Sequence, residues 1–66
     1  MPEPIEPGEA SLAELQALAE HSARRLALYR RRMYLGRGDA QRLAELERIA
    51  KGAADRLHRA QAARRA

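Results

Sequence analysis

The sequence predicts an all-α fold: a two-helix antiparallel coiled-coil hairpin, with helices over about 11–35 and 39–63, that dimerises into a four-helix bundle. Three observations predict it. Two runs of apolar residues step alternately by three and four positions. A glycine-containing link, Gly36-Arg37-Gly38, separates them. Folding the chain about Arg37 then brings the two runs into register.

The first ten residues, MPEPIEPGEA, carry Pro2, Pro4, Pro7 and Gly8. Proline removes backbone donors and fixes φ, so residues 1–10 are expected to form a flexible acidic arm, with the hairpin over 11–64. The first helix has a capping box, Ser11-Leu12-Ala13-Glu14, in which a hydroxyl and a carboxylate satisfy two otherwise orphaned amides. Its apolar positions are Leu12, Leu15, Ala19, Ser22, Leu26, Tyr29 and Met33. Steps of three and four make a coiled-coil seam, here with one polar member, Ser22. Gly36 suits the left-handed residue that ends a helix, and Asp39 suits an N-cap for the next.

The second seam is Leu43, Leu46, Ala50, Ala53, Leu57 and Ala60, widened by Ile49 on one side and Ala54 on the other. Gly52 falls on the outer face, and the helix is expected to fray in QAARRA. In an antiparallel hairpin bent at Arg37, facing residues have numbers summing to about 75. Met33 then meets Leu43, Tyr29 meets Leu46, Leu26 meets Ala50, Ser22 meets Ala53, Ala19 meets Leu57 and Leu15 meets Ala60. Beyond the two bulky layers at the bend, large faces small on alternating sides, so the layers interdigitate without voids.

Sixty-six residues make one small domain, and the chain has no cysteine for a disulfide or a thiolate metal site. Regular helix packing and self-association are the remaining sources of stability. Two helices leave Leu18, Leu28, Leu35 and Ile49 outside the intramolecular seam. A homodimer would cover them, or a different protein would. The lack of cysteine fits a cytoplasmic protein, and no apolar run approaches the ~20 residues of a membrane span.

Charge divides along the chain. Residues 1–20 carry five Glu and no Lys or Arg, net −5. Residues 21–66 carry 13 Lys+Arg against four Asp+Glu, net +9, which gives the overall +4. A basic body with an acidic tail implies acidic partners, attraction between tail and body, or both. The densest cluster is Arg24, Arg25, Arg30, Arg31, Arg32 and Arg37. On the helical wheel Arg24 and Arg31 point furthest from the seam, Arg25 and Arg32 share one flank, and Arg30 takes the other. Such a run reads either as a phosphate-contacting surface with Tyr34 as its exposed stacking residue, or as a solvated face offset by Glu20–Arg24, Glu47–Lys51 and Asp55–Arg59 pairs.

Arg37-Gly38-Asp39 matches an adhesion tripeptide, but glycine for the bend and aspartate for the cap account for it structurally. His21 and His58 lack a second ligand one turn away, so no metal or other cofactor is expected. Neither serine has a partnered base, and a two-helix hairpin has no deep pocket, so no catalytic residue is assigned.

The segment LYRRRMYLGRGD resembles part of the cyclic-di-GMP-responsive anti-sigma factors of actinobacteria, which are helical-hairpin proteins that hold a sporulation sigma factor. Their ligand motif is Glu, Ser, Arg, Gln and Asp at spacings of 4, 3, 4 and 4. Arg31 and Asp39 match it here, while Arg24, Leu28 and Leu35 replace the other three residues. The resemblance implies a regulatory hairpin that binds a protein; with the motif mostly replaced, it does not imply nucleotide binding.

These readings lead to one functional expectation. The chain is a small non-enzymatic regulator or adaptor that binds a protein through a helix face and the arginine-rich bend. The expected contact residues are Leu18, Leu28, Arg30, Arg31, Arg32, Tyr34, Leu35, Arg37 and Ile49. Nucleic-acid binding by Arg24, Arg25, Arg30, Arg31, Arg32 and Arg37 is the alternative, and a structural subunit of a larger assembly is the second.

Overall fold

A computed structural model describes residues 11–65; the expected arm over residues 1–10 lies outside the described residues. Helix α1 runs Leu12–Tyr34 and helix α2 runs Ala40–Arg65, and the two pack against each other as an all-α hairpin. The expected bounds differ by one or two residues because Ser11, Leu35 and Asp39 are caps and lie outside the helices they end. At the start of α1, the Ser11 hydroxyl accepts from the Glu14 amide at 3.1 Å, one arm of the expected capping box.

The bend is built by hydrogen bonds that use up the ends of both helices. Gly36 has φ +74, a left-handed conformation that side-chain-bearing residues adopt only under strain. This conformation lets the Gly36 amide reach the Met33 carbonyl at 3.0 Å and the Arg37 amide reach the Arg32 carbonyl at 2.9 Å. The pair is a Schellman motif, satisfying carbonyls the helix would otherwise leave bare. Two residues later Asp39 begins α2: its Oδ1 accepts from the Gln41 amide at 3.0 Å and its carbonyl from Leu43 at 3.0 Å. Gly38 is required for a different reason. A Cβ there would lie 2.9 Å from Met33 Cγ and 3.3 Å from Met33 Cα, closer than an unstrained contact.

Tyr29 joins the two halves of the bend. Its hydroxyl accepts from the Asp39 amide at 2.8 Å and lies 3.4 Å from the Asp39 carbonyl, to which it donates. The ring meanwhile sits half-buried in the seam. One side chain of α1 therefore positions the first residue of α2.

All residues of both expected seams are buried or half-buried. The fully buried core is small: Leu46 beside the bend, and the facing pair Ser22 and Ala53, 4% and 1% exposed. Side chains this short are sealed from water only if the helices approach closely at that layer, and no buried side-chain polar atom among the described residues lacks a hydrogen-bond partner. Ile49 and Ala54, expected to widen the second seam, are exposed instead. They lie on its flanks, which a single partner helix does not reach.

Two further expectations are corrected. The C-terminal end of α2, expected to fray, is helical to Arg65. Gln, Ala and Arg are strong helix formers, and Arg64 and Arg65 sit at the negative end of the helix dipole. Gly52, expected on the outer face, is half-covered, because Arg56 folds back along the helix and its Nε donates to the Gly52 carbonyl at 3.3 Å.

Three stability tests follow from the glycines and the tyrosine. Gly52→Ala should stabilise the hairpin by about 1 kcal/mol, since helix propensity improves and the new Cβ meets only Arg56 Nη2 at 3.9 Å. Gly38→Ala should destabilise it by roughly 1–3 kcal/mol through overpacking against Met33; urea unfolding followed by circular dichroism reads both. Tyr29→Phe should cost about 0.5–1.5 kcal/mol, the usual net worth of one hydrogen bond. It should also speed hydrogen exchange at the Asp39 amide more than at amides in the middle of either helix.

Candidate protein-docking face

Helix geometry sorts the exposed residues into two faces. Residues seven apart on a helix lie one above the other, and neighbours at three or four flank them. On α1 this aligns Leu18, Arg25 and Arg32, with Leu28 and Leu35 beside them. On α2 it aligns Arg42, Ile49 and Arg56. An open groove of about 320 Å³ joins the two rows: Arg25, Leu28, Tyr29 and Arg32 line it from α1, Arg42 and Leu46 from α2. Among the described residues, four of the five exposed large apolar side chains therefore share one face, with Leu28 at 61% and Leu35 at 58% exposure.

That face is basic. Arg25, Arg32, Arg42 and Arg56 stand on it between the aliphatic side chains. One of these arginines is paired: Arg42 Nη1 lies 2.9 Å from Glu45 Oε2. Arginine carries a long apolar stem beneath its charge, so the face is continuous in apolar surface as well as positive.

The opposite side of the hairpin has a different chemistry. A groove of about 540 Å³ there is lined by Ala23, Leu26, Ala50 and Ala54 and rimmed by Arg30, Glu47, Arg48 and Lys51. Its side chains are small and its rim carries both signs of charge. Tyr34, one turn beyond Arg30, belongs to this side and is 90% exposed.

The expected contact residues are therefore not one patch. Leu18, Leu28, Arg32, Leu35 and Ile49 come together on the basic face. Arg30 and Tyr34 lie on the other side, Arg31 points outward between them, and Arg37 is in the bend, where its backbone amide closes the Schellman motif. All nine are exposed. Arg25, Arg42 and Arg56 belong to the face and were not among the expected contacts. Arg25 shares the Arg32 flank on the helical wheel, and the register sum pairs Arg42 with Arg32, so both signals were present in the sequence. Arg31 and Asp39, the residues shared with the anti-sigma-factor motif, are separated by the bend, and the Asp39 carboxylate is occupied as an N-cap.

The expected ion pairs Glu20–Arg24, Glu47–Lys51 and Asp55–Arg59 are not those formed. Among the described residues the bridges are Arg42–Glu45 and Lys51–Asp55, the latter at 2.8 Å. Lys51 stands one turn from both Glu47 and Asp55 and its ammonium goes to Asp55; Glu47 lines the second groove with Arg30 and Arg48. The hydrogen bond from Lys51, and then its charge, hold the Asp55 carboxyl below its ordinary value of 3.8, with a smaller contribution from Arg59.

Among the described residues no group of three acidic, histidine or cysteine side chains is arranged to hold a metal ion, and no helix is long and apolar enough to cross a membrane. No protein-family model matches the chain, and neither the curated proteins nor the solved structures include one found to be similar.

The Lys51–Asp55 pair gives a pH signature. A lowered folded-state pKa means the pair's contribution is present above pH 3.8 and is lost as pH falls through the Asp55 value. Replacing the lysine, Lys51→Gln, should move the Asp55 titration back up toward 3.8, read by carbon NMR of its carboxyl.

Proposed function

We propose that this chain is a small non-enzymatic regulatory or adaptor protein of the cytoplasm, acting by docking another protein on the face that carries Leu18, Leu28, Leu35 and Ile49. The observation that supports it best is the gathering of these aliphatic side chains on one face, between arginines. Soluble monomers seldom leave such patches bare, and interfaces are rich in arginine beside apolar anchors. The thin core points the same way: with three fully buried residues, the hairpin gains much of its stability only when its outer face is covered. Self-association into a four-helix bundle is a second way to cover this face.

A nucleic-acid reading is favoured by one observation, the 90% exposed Tyr34 one turn from Arg30 and close to Arg31 and Arg37.

The double variant Leu28→Ser/Leu35→Ser separates these. Affinity capture from the native host should recover a protein with the unaltered chain and lose it with the variant, while circular dichroism shows the helices intact. Gel-shift titration at two salt concentrations gives the other arm. Steeply salt-dependent binding that survives the leucine changes but disappears on charge reversal at Arg30, Arg31 and Arg32 would replace the docking reading with the nucleic-acid one.

A further inference from the structure

Building on the docking reading, we infer that the basic face takes an acidic amphipathic helix, one that presents aliphatic side chains along a ridge with carboxylates on both sides. The inference rests on a juxtaposition: Arg25 and Arg32 on α1 and Arg42 on α2 line one open groove together with Leu28, Tyr29 and Leu46.

Each property of the groove narrows the occupant. The apolar lining runs between two nearly antiparallel helices, a channel that accepts the ridge of a third helix. Leu18 and Ile49 continue the apolar surface along the same direction. An occupant must therefore bring aliphatic side chains at helical spacing. The rest of the lining is arginine. Arg42 already has Glu45 as a partner at 2.9 Å, whereas among the described residues no ion pair is formed by Arg25 or Arg32. Planar guanidinium groups match carboxylates through two parallel hydrogen bonds, so the occupant brings Asp or Glu to those two positions.

Charge also weighs against the other occupants. A second copy of this chain docking through a twofold axis would set the same patch against itself, with Arg25 and Arg32 of each copy facing a positive surface. A nucleic-acid backbone would satisfy the arginines but would leave Leu28, Leu35 and Ile49 without apolar cover. A membrane surface is flat, and the arginines here flank a groove.

The test is a fluorescence anisotropy titration of the full chain against two synthetic helical peptides. Both carry leucine at coiled-coil spacing; one has glutamate at every flanking position, the other lysine. The glutamate peptide should bind at least roughly tenfold more tightly than the lysine peptide, with the margin shrinking as salt screens the pairs. The charge-reversed variant Arg25→Glu/Arg32→Glu should invert that order. Both residues are exposed, so its helical circular dichroism should match that of the unaltered chain. If the variant loses helicity, the unaltered chain's preference between the two peptides decides the matter alone. Equal binding of the two peptides would overturn the acidic occupant and leave the docking reading standing. Binding of neither would overturn both. Displacement of the glutamate peptide by single-stranded DNA or by phosphatidylglycerol vesicles, or dimers on sedimentation that persist at saturating peptide, would assign the face to a phosphate surface or to a second copy and overturn the inference.

Discussion

The Tyr29 hydroxyl accepts a hydrogen bond from the Asp39 amide at 2.8 Å, across ten residues of sequence and a reversal of direction. The rest of the hairpin depends on this contact. A coiled-coil seam specifies that two helices pack, but it tolerates sliding by whole heptads, and a flexible link would permit several alignments. Tyr29 is a seam residue of α1 and Asp39 is the cap of α2, so their bond ties the layer positions of one helix to the start of the other. The left-handed Gly36 and the close approach of Gly38 to Met33 bring the two groups within reach. With register held there, Ser22 falls opposite Ala53, and Arg32 falls opposite Arg42.

The same alignment decides what remains on the outside. The seam consumes the residues that two helices can share, and the buried set among the described residues is only Ser22, Leu46 and Ala53. The remaining large aliphatic groups are left on one side, and the alanines, with Arg30, Glu47, Arg48 and Lys51, on the other. This asymmetry was set by which flank each residue occupies, since the two sides have similar helical propensity and differ only in side-chain chemistry. A hairpin built this way has one face with large aliphatic side chains between arginines and one face of small side chains.

The helices, their caps and their pairing were legible in the sequence because each is encoded by residue type at short range. Steps of three and four need only a helical wheel, and Ser11, Gly36 and Asp39 announce ends through their own chemistry. What was not legible depended on geometry beyond the helix. The Tyr29–Asp39 bond requires knowing how tightly the bend closes. The preference of Lys51 for Asp55 over Glu47 has no short-range signal, since both carboxylates stand one turn from it. The membership of Arg42 in the basic face was available from the register sum, which sets it near Arg32 across the seam. The arginine run around the bend is divided in space: Arg32 joins the leucines, Arg30 joins Tyr34, and Arg37 serves through its backbone.

The shortness of the link between Tyr34 and Ala40 has a kinetic meaning. Closing a loop of so few residues forfeits little chain entropy, and contacts beside it form between residues near in sequence. The hairpin should zip from Met33 and Leu43 outward, reaching Leu15 and Ala60 last, on the microsecond-to-millisecond scale of local helical topologies. The order of assembly runs from the bend to the open end, and so does the order of persistence. Fluctuations that part the tips of the helices leave the Arg32–Arg42 end of the groove formed, so the acidic helix proposed above would meet a prebuilt foothold there.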